Sequence, residues 1–380
     1  MIYLFWTFSF LIIFHYLFFG LTVLILSKLF GKKHLIKEDT PSISFIIAAY
    51  NEEKVIVEKL KNDLELDYPK NKLEIIVVSD GSNDKTPSLV EGFKDRGVRS
   101  LHRPERQGKI AALNRAVESA QNEILVFSDA NSMFRKDALK KLVRHFSDPS
   151  VGGVCGQKAI FHNDERKASL GDSLYWKYES SLKQAESFLG SIPTADGEIF
   201  SMRKKHYRAI DSKIINDDTA ITLNLISQGL RVIYDKEAIT EEEASLNLKD
   251  DFNVKSRMVY GGIQILKIYR RELNPFASWF GFQFFFHKTL RYFMWFLLLG
   301  VFITNLAVLG DHLFYRVFFL LQVLFYCFSA IGYLIDKRGK VPTLFYLPYY
   351  YCNVNLAAFK GFLFFLKQQS LVDIWTKAQR

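Results

Sequence analysis

The sequence predicts an α/β domain built on a mostly parallel sheet and flanked by transmembrane α-helices. Three observations carry this. Apolar residues gather toward the two ends of the chain, leaving an ordinary globular composition between Pro41 and about Pro275. Within that middle, short apolar runs alternate with helical patterns, as they do when crossover helices link parallel strands. Each early run also ends in a cluster of polar residues, at the strand ends where open α/β sheets bind ligands.

The chain begins with an uncharged run from Ile2 to Leu26, long enough to cross a hydrocarbon core that needs about 20 apolar residues. Residues 1–27 therefore read as a transmembrane helix. A cleaved signal peptide fits less well, because no basic residue precedes the run and Lys28, Lys32, Lys33 and Lys37 follow it. Those lysines place the next residues on the cytoplasmic side.

Residues 41–270 form the globular domain. Ser44 to Tyr50 is a short buried strand, with Asn51 as N-cap of a helix running through Glu65. Leu73 to Ser79 and Glu123 to Phe127 are further strands, and Gly108 to Ala120 and Lys136 to Phe146 are helices. Ala49-Tyr50-Asn51-Glu52-Glu53, Asp80-Gly81-Ser82-Asn83-Asp84 and Asp129-Ala130-Asn131 follow three of the strands. One such Asp is usually a turn residue; three in register favour a nucleotide site.

The C-terminal third returns to lipid. Residues 276–289, rich in Phe and ending in His287-Lys288, read as an interfacial amphipathic helix, with an early start to the next helix as the alternative. Residues 290–309 and 313–335 form a transmembrane hairpin around Gly310-Asp311-His312. Residues 344–366 contain Pro348, a Tyr349-Tyr350-Tyr351 cluster and Lys360, and either span or re-enter. The side taken by the tail, Lys367 to Arg380, depends on that choice.

Composition narrows the function. The 380 residues are 49% hydrophobic with 35 Phe, which excludes a disordered chain. Cys155, Cys327 and Cys352 have no CxxC spacing, which excludes a disulfide framework or a thiolate zinc site. Lys and Arg outnumber Asp and Glu by 50 to 40, a formal charge of +10. The excess lies mainly around the membrane segments while the middle is nearly neutral, so it marks a membrane face rather than a nucleic-acid surface.

SFIIAAYNEE (44–53), EIIVVSDGSNDKT (74–86), RQGKIAALNRAVESAQNEILVFSDANS (106–132), TADGEIFSMRKKHY (194–207) and INDDTAITLNLISQGLRVIYD (215–235) together resemble the family 2 glycosyltransferases. These are membrane-anchored enzymes with a GT-A, Rossmann-like nucleotide-sugar domain, among them synthases of poly-N-acetylglucosamine, cellulose and hyaluronan. The resemblance implies a donor site at Ala49, Tyr50, Asn51, Glu52, Asp80, Arg106, Lys109 and Asp129. Asp80 corresponds to an Asp that binds uracil. Arg106 to Lys109 open a helix, where backbone N–H groups and a cation suit a diphosphate. Asp129-Ala130-Asn131 corresponds to the DxD motif for Mg²⁺ or Mn²⁺, with Asn131 in place of the second Asp; oxygen ligands suit either cation.

The Asn216-Asp217-Asp218-Thr219 segment matches the acidic pair that holds the family's general base, here Asp218, with Asp217 beside it. Arg257 matches the Arg of QxxRW, although Gln and Trp are absent, and is placed to compensate the leaving diphosphate. The resemblance thus implies an inverting transfer from a UDP-linked donor, UDP-GlcNAc or UDP-Glc, to a saccharide or lipid-linked acceptor at the inner cell membrane. The enzyme would be multi-pass with a cytoplasmic catalytic domain and no nucleic-acid partner. The alternative is an inactive membrane scaffold that binds nucleotide without turnover.

Overall fold

The computed structural model describes residues 1–161, 170–243 and 248–368. The chain divides into two compact units, one of Val23–Ala244 and one of Met1–Thr22 with Ser245–Gln379.

The first unit holds a mixed sheet of β1 (Ile43–Ala49), β2 (Leu73–Asp80), β3 (Val98–Arg103), β4 (Ile124–Asp129), β5 (Met133–Phe134), β6 (Val151–Phe161), β7 (Phe200–Arg203) and β8 (Arg231–Glu243). The strand order is β3-β2-β1-β4-β7-β6-β8-β5. The pairings β1/β2, β1/β4, β2/β3 and β6/β8 are parallel, while β4/β7, β6/β7 and β5/β8 are antiparallel. Ala49 lies opposite Ser79 and Ala48 opposite Asp129, so β1, β2 and β4 finish side by side. That alignment gathers their polar ends into one place. Phe127 of β4 faces Phe200 of the antiparallel β7, so the residues preceding β7 reach the same edge as those following β4.

Burial of both faces explains the continuous apolar character of β1. Phe45 packs with Val126, Phe134, Leu139 and Ile233, and Ile47 with Ile56, Leu60, Val77 and Val90. Within this core the helix Ile56–Leu64 carries a fully buried ion pair, Lys59 to Asp63 at 2.9 Å. Lys59 Nζ also donates to the Ser132 carbonyl at 2.6 Å and lies over the rings of Phe45 and Phe134. Burial pushes Asp63 up to about 6 against the pull of Lys59. Asn62 both donates to and accepts from the Phe134 backbone, at 3.0 and 2.9 Å. The helix therefore grips the backbone just beyond Asp129 to Asn131.

Asn51 is not the N-cap of that helix, which starts five residues later, at Ile56. With φ at 53° Asn51 turns the chain through the left-handed region that Asn tolerates, and its Oδ1 accepts from the Asn83 N–H at 3.0 Å.

The charged segment after the first helix is fastened along its length. The Lys32 N–H donates to Phe188 O, Leu35 N–H to Asp148 Oδ2 and Lys37 N–H to Arg144 O. His34 Nε2 lies 2.7 Å from His145 Nδ1, and His145 Nε2 lies 2.7 Å from Asp235 Oδ2. Burial, with His145 and Arg231 nearby, lowers His34 to about 4.

Three helices among the described residues are long and apolar enough to cross a membrane: Ile2–Phe30, Trp279–Ala307 and Leu313–Asp336. Trp279–Ala307 is continuous through a π-turn at Phe285–Thr289. His287, at that π-turn, is buried. Thr343–Leu366 is also one helix, with Pro348 in its second turn. Its Tyr, Asn and Lys content keeps it out of the apolar set. A Cβ on its Gly361 would come within 2.4 Å of the Ser256 carbonyl, so only glycine allows its close approach to the helix Leu248–Ile268. Residues 369–380 of the tail lie outside the described residues.

Candidate active site

The site begins at the end of β2. Asp80 is almost fully buried, and its Oδ2 accepts from the N–H groups of Gln107 and Gly108 at 2.8 and 2.7 Å. These are the amides expected to face a diphosphate; they are already satisfied, because Asp80 uses them to fasten the start of the helix Lys109–Ser119. Asp80 Oδ1 is buried without a hydrogen-bond partner, 3.6 Å from Arg115. Gly81 follows with φ at +71°, and a Cβ there would sit 2.5 Å from the Arg106 Cβ. Only glycine lets the Arg106 segment fold over this turn.

Arg106 lies with its guanidinium carbon 3.9 Å from the centre of the Tyr50 ring, a cation–π contact that joins the ends of β1 and β3. The loop after β1 is tied to the loop after β2: the Asn51 N–H donates to Ser82 Oγ and the Glu52 N–H to Thr86 Oγ1. Ala49 is buried at the strand end and contributes packing.

Lys109 reaches from its helix to two other elements. Its Nζ is 2.7 Å from Asp129 Oδ1, at the end of β4, and 3.8 Å from Asp217 Oδ2, at the start of the helix Asp217–Ser227. Burial alone would lower this ammonium, but Asp129, Asp217 and Glu198 more than offset it and hold Lys109 firmly protonated. Burial first, and Asp217 second, push Asp218 up to about 7. Asp218 Oδ1 accepts from the Thr219 N–H at 2.5 Å. Asp218 is thus a carboxylate whose basicity matches neutral pH.

A second network lies behind Asp129. Asn131 Nδ2 donates to Glu242 Oε1 at 2.5 Å. Lys158 bonds the other oxygen of Glu242 and also Glu198, at 2.8 Å. Burial would raise Glu198, but Lys158 more than reverses this and lowers it to about 2. Asp196 accepts from Lys183 at 2.6 Å. Asp196, Glu198, Lys158 and Glu242 are not among the residues the sequence motifs single out. Two of them stand in the TADGE segment, where two carboxylates flanking a glycine are the available signal. Arg257 lies on the helix Leu248–Ile268 of the other compact unit.

No group of three or more His, Cys, Asp or Glu among the described residues is arranged to hold a metal ion by itself. What the loop after β4 offers is hard oxygen, the Asp129 carboxylate and the Asn131 carbonyl. That set fits Mg²⁺ or Mn²⁺ when phosphate oxygens complete the shell.

Residues 44–211 match the family model described as glycosyl transferase family 2. The match covers 168 of the chain's 380 residues and lies within the domain between the apolar ends. The chain is similar to the poly-beta-1,6-N-acetyl-D-glucosamine synthase of Staphylococcus aureus (strain COL), with 27% identity over 235 residues, 60% of this chain and 56% of that one. The synthase of the same name from Staphylococcus epidermidis is 25% identical over 247 residues, 63% of this chain and 60% of that one. The chain therefore spans less than two thirds of the length of these curated relatives. Among solved structures, a mannosyltransferase from Pyrobaculum calidifontis in complex with GDP-Man and Mn²⁺ superposes with a TM-score of 0.72. It shares 21% identity and covers 97% of this chain and 100% of that one. The domain has a GT-A-like fold, with apolar helices on either side of it in the sequence.

Proposed function

We propose that this protein is an inverting glycosyltransferase of family 2 that moves a sugar from a nucleotide-sugar donor to a membrane-associated acceptor, in polysaccharide or glycolipid synthesis. The observation that carries the reading is the convergence at Lys109: Asp129 and Asp217 meet its ammonium from two different elements, with Asp218 as the next residue. In the reaction the acceptor hydroxyl gives its proton to the Asp218 carboxylate. Its oxygen forms the new bond to the anomeric carbon while the bond to the diphosphate oxygen breaks on the opposite face, and the electron pair leaves with the nucleoside diphosphate.

The donor's base N–H meets Asp80 Oδ1, and Tyr50, Asn51 and Glu52 line the nucleoside. Arg106 and Lys109 compensate the diphosphate by their side chains, and Arg257 has the same task by its place in the motif. Asp129 and Asn131 would hold Mg²⁺ or Mn²⁺, which when bound supplies positive charge to the leaving group. The positive-inside pattern supports a cytoplasmic face for the domain, where nucleotide sugars are made.

The test is nucleoside diphosphate release by detergent-purified protein offered UDP-GlcNAc, UDP-Glc and GDP-Man, with membranes as acceptor. Release that stops with EDTA and returns with Mn²⁺ or Mg²⁺ supports the reading and names the donor. Nucleotide binding without release from any donor would establish the scaffold alternative.

A further inference from the structure

The substitution of Asn for the second Asp of the metal motif has a structural counterpart on β8. Glu242 is 4% exposed and accepts from the Asn131 amide at 2.5 Å. The backbone brings the two together: β5, which follows the Asp129–Ser132 loop, pairs with β8 so that Met133 lies opposite Glu241. Glu242 is in turn held by Lys158, which it shares with Glu198. We propose that Glu242 is a positioning residue that fixes the amide orientation of Asn131 and makes asparagine, not aspartate, the working residue at this position. The inference rests on the reading of Asp129 and Asn131 as the loop that meets the cation and diphosphate.

Amide geometry and charge both lead there. An amide carries its oxygen and nitrogen on opposite prongs, so committing the nitrogen to Glu242 turns the oxygen away from Glu242 and makes it available as a ligand. Two carboxylates, Glu198 and Glu242, already share the Lys158 ammonium. An aspartate at 131 would bring a third carboxylate into contact with Glu242, and two carboxylates at such range cannot both ionise freely. It would also lose the donor that pairs with Glu242. Adding a carboxylate to the motif should therefore weaken metal binding, the reverse of what a simple count of ligand charge predicts.

The experiment is a two-by-two cycle in the full chain, purified in detergent: wild type, Asn131→Asp, Glu242→Gln and the double variant. Free Mn²⁺ is measured by electron paramagnetic resonance with UDP or GDP present, and each metal-free protein is melted. Asn131→Asp should lose Mn²⁺ affinity by about tenfold and melt lower than wild type. The double variant, in which the amide introduced by Glu242→Gln donates to the new carboxylate, should recover both to within about threefold and a few degrees. Glu242→Gln alone still offers an oxygen to Asn131 and should fall between. Tighter Mn²⁺ binding by Asn131→Asp, or a double variant as weak as Asn131→Asp, overturns the proposal. If wild type retains no Mn²⁺ with either nucleotide, the metal reading fails separately. The melting cycle then decides the pairing, and an Asn131→Asp protein as stable as wild type overturns it.

Discussion

Asp218→Asn removes a carboxylate that the fold keeps protonated up to about pH 7. In the unfolded chain this group ionises near 3.8, so between 3.8 and 7 the folded state binds a proton that the unfolded state does not. The stability this contributes is fully present below 3.8, falls as pH rises, and is lost above about 7. At about 1.4 kcal/mol per pH unit the loss amounts to about 4 kcal/mol at pH 8 and about 2 kcal/mol at pH 5. Asparagine carries no charge and escapes it. The variant should therefore be more stable than wild type at both pH values, with the larger gain, on the order of 10 °C in melting temperature, at pH 8. It should also release no nucleoside diphosphate, while wild-type turnover rises as pH passes through about 7 and the base ionises. Differential scanning fluorimetry at pH 5 and 8, beside a diphosphate-release assay, reads both. A melting shift that is equal at the two pH values, or negative at pH 8, refutes the assignment of a strained carboxylate; retained turnover refutes its role as base.

Two further substitutions probe the scaffold of the site. Lys59→Met leaves Asp63 buried without its partner and releases the Ser132 carbonyl, and should cost about 3–5 kcal/mol in chemical denaturation, most of it restored in Lys59→Met/Asp63→Leu. Gly81→Ala adds a Cβ at φ +71° against Arg106 and should cost about 1–3 kcal/mol in stability. It should lower nucleotide affinity by displacing Arg106 from Tyr50, a change that isothermal titration calorimetry with UDP and GDP would register.

Much of the fold is legible because parallel strands buried on both faces read as continuous apolar runs. Ile43–Ala49, Leu73–Asp80 and Ile124–Asp129 fall within a residue or two of the expected strands, and their ends align as the polar clusters suggest. The less legible part has a topological cause. A parallel strand delivers to the site the residues that follow it, and Asp80 and Asp129 are found by looking there. The antiparallel β7 delivers the residues that precede it, Asp196 and Glu198, and β8 brings Glu242 from a run of three glutamates that reads as a charged edge. Asn51 departs from expectation for another reason. A polar residue at a turn has several possible partners, and only the fold decides that Asn51 answers Asn83 and that Asp80 holds two backbone amides. In the apolar region, hydropathy locates the helices but not the π-turn that makes 279–307 continuous.

The fastening of the segment after the first helix bears on where this domain begins. By sequence the globular part starts near Pro41, and the lysine-rich stretch before it resembles a tether whose length could change freely. The hydrogen bonds of Lys32, His34, Leu35 and Lys37 make it instead a part of the folded unit. A chain trimmed to Pro41 would strip His145 and Asp235 of their cover and expose the Phe188 and Arg144 carbonyls. One lengthened between Gly31 and Thr40 would slide His34 out of step with His145. The natural starting point for an isolated globular domain is therefore Gly31, ten residues ahead of the first position that looks like one.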